Sequence, residues 1–169
     1  HADGLVLDMT LEDNVMLRDY DRQPYSKYSF LNEKLIREKA EKAIDEYKIK
    51  TSGTSKGDTV VRLMSGGNQQ KVIIAREVSD SAKLVIASQP TRGLDIGATE
   101  FVRQVLMDHR NKGGSVLLIS ADLEEIMALS DRIAVMFGGR IMGVLDKEHI
   151  NMEKIGLMMG GITEEEIKE

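Results

Sequence analysis

The chain has 169 residues, 41% hydrophobic and 30% charged, with a formal charge of -5 and no cysteine. That length fits one ordinary core or two small subdomains, and an acidic balance without a long Lys/Arg run argues against a nucleic-acid groove or an anionic membrane surface as partner. No apolar stretch approaches the roughly eighteen residues that cross a bilayer, the lack of cysteine fits a cytosolic protein without disulfides, and the ten methionines read as core gap-fillers.

Thr10 before Leu11-Glu12-Asp13 is an N-cap followed by acidic first-turn residues, which predicts a helix turning Val15, Met16 and Leu17 to the core. Asp19 to Phe30, with Gln23-Pro24-Tyr25-Ser26, reads as a loop. Leu31 to Tyr47 resumes helical spacing, with Ile36, Ala40, Ala43, Ile44 and Tyr47 on one stripe. Thr51 to Asp58 is a flexible connector by composition, and a further helix opens at Ser65 to carry Val72, Ile73, Ala75 and Val78. Leu84 to Ala87 and Val116 to Ile119 are short continuous apolar runs, the form of parallel strands buried on both faces. The helical stretch from Ala98 to Lys112, closed by Gly113-Gly114, makes them a βαβ unit. Asp122-Leu123-Glu124-Glu125 opens the next helix as a capping-box variant. Ile133 to Phe137, Gly138-Gly139 and Arg140 to Leu145 read as a β-hairpin, and a last amphipathic helix runs from Lys147 to Met159. The acidic tail from Thr163 to Glu169 reads as a solvated end.

Two segments carry chemistry. In Leu63-Met64-Ser65-Gly66-Gly67-Asn68-Gln69-Gln70-Lys71, Ser65 can cap a helix and offer a hydroxyl. Gly66 and Gly67, without a Cβ, let the backbone close on an anion facing the helix start. The plain alternative is a loop-to-helix turn with no ligand. The second segment is the strand from Leu84 to Ala87 with Ser88-Gln89-Pro90-Thr91-Arg92-Gly93-Leu94-Asp95 after it. No Gly-x-x-x-x-Gly-Lys-Ser/Thr occurs, so the usual phosphate-cradling loop is missing.

Together these segments resemble the signature motif and the Walker B plus D-loop of ATP-binding cassette (ABC) ATPases. The resemblance implies an α/β fold, a partial P-loop NTPase domain lacking its Walker A part. Residues 1–82 would form the helical subdomain with the signature, and residues 83–169 the rest of the nucleotide-binding core. His1-Ala2-Asp3-Gly4-Leu5-Val6-Leu7 resembles the stretch directly after the Q-loop, and a start at His1 without Met points to a piece of a longer protein. In the family an aspartate after the strand helps hold Mg²⁺ and a glutamate next to it polarises the attacking water. Here those positions are Ser88 and Gln89, and the switch-histidine position is Ala121. Losing a general base costs about 10² to 10⁴ in rate, so this half's own site is expected to be degenerate, with no catalytic residue intact and no metal site. His1, His109 and His149 are expected on the surface.

Leu5-Val6-Leu7-Asp8, Gln23-Pro24-Tyr25-Ser26, the Asn-Gln-Gln-Lys signature and the carboxylate-free Gln-Pro-Thr-Arg-Gly-Leu-Asp look most like the second cassette of tandem nucleoside or simple-sugar importer ATPases, nucleosides favoured. The resemblance implies that Ser65, Gly66, Gly67, Asn68 and Gln69, with Asp95 of the D-loop, contact a nucleotide held by the opposing cassette. It implies ATP and Mg²⁺ as cofactors of the full-length protein, with none tightly bound to these residues alone and no ATPase from them. The implied partners are the N-terminal cassette of the same chain, two membrane permease subunits and, indirectly, a substrate-binding lipoprotein. The location would be cytoplasmic, on the inner face of the membrane. A non-catalytic regulatory module with this fold, and a non-transport ABC ATPase, are the alternatives.

Overall fold

A computed structural model describes residues 4–28, 30–52, 55–78 and 82–168. The readings that fall on His1 to Asp3, on Gly53 and Thr54 of the connector, on residues 79–81 and on Glu169 lie outside the described residues. The chain forms two compact units, His1–Val85 with Thr91–Ser115, and Ile86–Pro90 with Val116–Glu169. The helix after the D-loop thus groups with the first unit, although the sequence division at residue 82 puts it with the later segment.

The first unit is mainly helical. Helix α1 (Leu11–Met16) begins in a full capping box: Thr10 Oγ1 accepts from the Asp13 N–H at 3.2 Å, and the Asp13 carboxylate accepts from the Thr10 N–H at 3.3 Å. Val15 and Met16 are buried as expected, while Leu17 is only half-buried. Asn14, absent from that expectation, is fully buried because both ends of its amide are used. Its Oδ1 accepts from the Val6 N–H at 2.9 Å, and its Nδ2 donates to the Val6 and Thr10 carbonyls at 3.0 and 2.9 Å. The expected loop contains a small hairpin, β1 (Ser26–Lys27) antiparallel to β2 (Phe30–Leu31). Helix α2 (Glu33–Glu46) is capped by Asn32 and buries Ile36, Ala40, Ala43 and Ile44. The connector is tighter than its composition suggests, with a 3-10 turn at Lys56–Asp58, and a second 3-10 turn comes after it at Val61–Leu63. Backbone bonds from Leu11 N–H to Thr59 O (2.9 Å) and from Val61 N–H to Met9 O (3.1 Å) tie that stretch to the start of α1. Helix α3 (Gly66–Glu77) comes next, burying Val72 and Ile74. Leu11, Val15, Ala40, Ile44, Val61 and Val72 share one core. Each large aliphatic side chain so buried contributes about 1.5–3 kcal/mol.

Strand β3 (Leu84–Ser88) pairs with β4 (Ser115–Ile119) across helix α4 (Ile96–Asn111). The pair is parallel: the Ser115 N–H bonds the Lys83 carbonyl at its start, and the Gln89 N–H bonds the Ile119 carbonyl at its end. Burial on both faces is not found. Ile86, Leu117 and Ile119 are 64%, 51% and 48% exposed, whereas Ala87 is buried. Apolar side chains alternate between a covered and an open face because only two strands pair here, so the layer that covers the second face of a full parallel sheet is absent from these residues.

In the second unit, Asp122 Oδ1 accepts from the Glu124 and Glu125 N–H groups at 2.9 and 3.2 Å and opens α5 (Leu123–Leu129). The hairpin is β5 (Arg132–Phe137) and β6 (Arg140–Asp146), with a register shift at Val135/Met136. The predicted last helix is split. Lys147–His149 is a 3-10 turn, and Asn151 then caps α6 (Met152–Met159) by accepting from the Glu153 N–H at 2.8 Å. The tail is not simply solvated. Thr163 and Glu166 form a second reciprocal cap, at 2.7 and 3.4 Å, for α7 (Glu164–Lys168). There Ile167 packs on the core of Ile133, Leu145, Ile155 and Met158, and Glu164 pairs with Lys154 at 2.9 Å.

Candidate nucleotide-contacting site

Ser65 stands at the N-cap of α3 with extended φ and ψ of -65° and 153°, but its hydroxyl makes no cap. Instead Asn68 Nδ2 donates to Ser65 Oγ at 3.0 Å, and Asn68 Oδ1 accepts from the Lys50 N–H at 3.0 Å. The expected serine cap is therefore not formed, the Ser65 hydroxyl oxygen accepting from the Asn68 amide instead. The first-turn N–H groups, which have no partner within the helix, keep an end suited to an anion. Gln69 Nε2 donates to the carbonyls of Val61 and Met64 at 3.1 and 3.2 Å. Asn68 and Gln69 thus brace the turn, while Ser65 and Gly66 are exposed at its tip.

Gly67 has a reason that its sequence context does not disclose. A Cβ there would stand 3.0 Å from the Ala98 Cβ and 3.6 Å from Asp95 Oδ2, so glycine lets α3 lie against the start of α4. Asp95 is exposed and caps that helix, Oδ1 accepting from the Ala98 N–H at 2.8 Å. The signature turn and the D-loop aspartate are therefore neighbours within one unit. Leu63, 75% exposed, and Ile96, 83% exposed, flank them.

In the second unit, β3 ends at exposed Ser88, and Gln89 comes after it at a φ of 49°, a left-handed conformation that a residue with a Cβ adopts at a cost. The Gln89 N–H donates to Ile119 O at 2.7 Å, and its Oε1 accepts from the Ala121 N–H at 3.4 Å. The Gln89 side-chain oxygen thus faces the backbone of Ala121. The donor set at Ser88 and Gln89 contains no carboxylate and does not fit a divalent cation. Among the described residues no cluster of three or more His, Cys, Asp or Glu side chains is placed to hold a metal.

His109 departs from expectation. It is only 6% exposed, folded beneath the turn that ends α4, while His149 is exposed. Arg62 is joined to Asp8 at 2.7 Å, and its guanidinium holds the Asp8 carboxyl below the usual aspartate range.

Solved ATP-binding cassettes share the fold. The dimeric post-hydrolysis ATP-binding cassette MJ0796 bound to ADP and Pi superposes with a TM-score of 0.66 at 22% identity, over 85% of this chain and 59% of that one. A nucleotide-free ATP-binding cassette from an ABC transporter gives 0.66 at 24% identity, over 96% and 59%. The fold is that of an ATP-binding cassette, in part. No family model matches the chain, but relatives match nearly all of it. It is 46% identical over 166 residues to the guanosine import ATP-binding protein NupO of Bacillus subtilis (strain 168), covering 98% of this chain and 32% of that protein. It is 43% identical over 161 residues to the nucleoside import ATP-binding protein NupA of Lactococcus lactis subsp. cremoris (strain MG1363), covering 95% and 31%. The ribose import ATP-binding protein RbsA of Clostridium tetani (strain Massachusetts / E88) is 37% identical over 154 residues, covering 90% and 30%. The chain belongs with these ABC transporter ATP-binding proteins and spans about a third of the length of the relatives it matches.

Proposed function

We propose that this chain is the later part of the second cassette of an importer ATPase, and that its signature turn completes an ATP site whose phosphates are held by the opposing cassette. The observation that carries this reading is a contrast. The α3 start keeps its helix end without a serine cap beside Asp95, while the end of β3 offers a serine and a glutamine in place of carboxylates. Ser65, Gly66 and Gly67 bind phosphate oxygens through backbone N–H groups and the serine hydroxyl. When bound, ATP with Mg²⁺ supplies the reacting phosphoryl group, its metal ligands coming from the opposing half. The site at Ser88, Gln89 and Ala121 orients water at most, because an amide does not accept a proton at neutral pH.

Nucleoside import is favoured over sugar import, in keeping with 46% and 43% identity to two nucleoside-import proteins against 37% to a ribose importer. The partners are the N-terminal cassette, two permeases and a binding lipoprotein, at the cytoplasmic face of the membrane. In the full-length protein with its permeases, Gly66→Asp abolishes transport-coupled ATPase, because a carboxylate and its Cβ occupy the phosphate's place. Gln89→Ala leaves it within about twofold. Equal losses from both overturn the asymmetric assignment, and unaltered ATPase in Gly66→Asp favours a regulatory module.

A further inference from the structure

Lys71 closes the signature motif, and nothing in the phosphate chemistry of Ser65 to Gly67 uses it. Its Nζ donates to the Lys48 carbonyl at 3.0 Å and lies 4.6 Å from the centroid of the Phe101 ring on α4. The acceptor is fixed. Lys48 sits at a φ of 49° just past α2, and the Ile49 N–H bonds back to Ile44 O at 2.9 Å, so the carbonyl belongs to a closed helix end. The ring is fixed as well, since Tyr47 meets Phe101 edge-on with centroids 6.2 Å apart. Burial, and then the charges of Lys50 and Lys48, hold the Lys71 pKa below the ordinary lysine value, while the Asp95 carboxylate pulls it back up. A half-buried ammonium placed beside two other lysines is costly, and the aromatic face, the carbonyl and Asp95 offset that cost.

The spacing gives the contact its meaning. Gly67 meets Ala98, and one turn further on Lys71 meets Phe101, steps of four residues along α3 and three along α4. Both pairs therefore lie on the facing sides of the two helices. A single close approach leaves packed helices free to pivot about it. Two approaches a turn apart fix their rotation too.

We propose that Lys71 is a positioning residue that locks the signature turn to the D-loop helix, so that Ser65 to Gly67 and Asp95 meet the opposing nucleotide as one rigid surface. The inference rests on the proposed action of the signature in trans.

The test uses the full-length protein with its permeases. Lys71→Met keeps the aliphatic stem and loses the charge and the donor, whereas Lys71→Arg keeps a cation and a donor. Lys71→Met should lower the ATPase kcat by about tenfold, and Lys71→Arg should restore most of it. Spin labels at Leu63→Cys and Ile96→Cys, both exposed, report the separation of the two motifs. The distance distribution should widen in Lys71→Met and stay narrow in Lys71→Arg. Parental kcat in Lys71→Met, or a distribution as narrow as the parent's, overturns the positioning role. That outcome leaves the trans reading to stand or fall on Gly66→Asp. Should Lys71→Met not fold, Phe101→Leu read by the same label pair replaces it: widening supports the lock and an unchanged distribution overturns it.

Discussion

Replacing Gly114 by alanine tests the packing of the turn that ends α4. The helix ends in a Schellman motif, with Gly113 at a φ of 91°, the Gly113 N–H on Arg110 O at 2.9 Å and the Gly114 N–H on His109 O at 3.1 Å. The His109 ring folds back under this turn. A Cβ on Gly114 would stand 2.2 Å from Nε2 and 2.6 Å from Cδ2, about 1 Å inside ordinary contact. With the ring 6% exposed, solvent gives it no room. Forcing it off its rotamer costs about 0.5–1.5 kcal/mol, and overpacking adds about 1–3 kcal/mol. Against these stands a gain of about 0.4–1 kcal/mol from stiffening the unfolded chain. The net is a loss of about 2 kcal/mol, seen as a fall of about 4–8 °C in the Tm of the transition that includes this unit. Differential scanning calorimetry of the full-length protein reads it. His109→Ala in the Gly114→Ala background should return at least about 1 kcal/mol, since the new methyl then fills the space of the ring. A Gly114→Ala protein that melts within about 1 °C of the parent, or a double variant no more stable than the single one, refutes the packing argument.

Gly143 makes a similar prediction in the second unit, where a Cβ would stand 2.7 Å from Met158 Sδ and 2.8 Å from Glu164 Cβ. The sulfur can swing aside but the Cβ cannot, so Gly143→Ala should lift α7 and loosen the Lys154–Glu164 pair. Hydrogen exchange should quicken over residues 164–168, and unchanged exchange would refute this. The pH dependence of the same helix comes from Glu166. The N–H and the hydroxyl of Thr163 hold its carboxyl below the ordinary 4.5. With the folded pKa below the unfolded one, the cap contributes fully above pH 4.5 and is lost as pH falls through the folded value. Protection of α7, corrected for intrinsic exchange, should be level from pH 7 to about pH 5 and drop below that range. Thr163→Val should abolish the drop; a drop that survives refutes the assignment.

The helices were legible because their signals are local. Thr10 with Asp13, Asp122 and Gly113-Gly114 state caps that need no tertiary partner. The sheet was less so. An apolar run says that a strand is greasy, not which face has a neighbour, and Ile86, Leu117 and Ile119 lie on the open face of this pair. The side-chain contacts of the motif positions were not readable in the sequence. Nothing in the string shows that Asn68 takes the Ser65 hydroxyl, or that Gln69 is spent on Val61 and Met64. His109 was misjudged because polarity predicts exposure on average, whereas burial here depends on a glycine five residues later. That pairing, a histidine in a last helical turn before two glycines, is the signal available in the sequence.

The two groups of motif positions fall in different units of the chain. Ser65, Gly66, Gly67 and Asp95 lie in one compact unit, and Ser88, Gln89 and Ala121 lie in the other. The contacts that set the signature turn, to Ala98, Asp95, Lys50, Val61 and Met64, all fall inside the first unit. Those of Gln89, to Ile119 and to Ala121, fall inside the second. Sites without shared partners respond to substitution independently. On the proposed reading, the residues at the end of β3 and after β4 can therefore differ from those of an active site without altering the contacts of Gly67. The Gln89 amide oxygen accepts the Ala121 N–H, as a carboxylate oxygen would. What an amide lacks is the ability to take a proton at neutral pH, and under the proposed function that is the combination expected of a half whose signature serves a nucleotide held elsewhere.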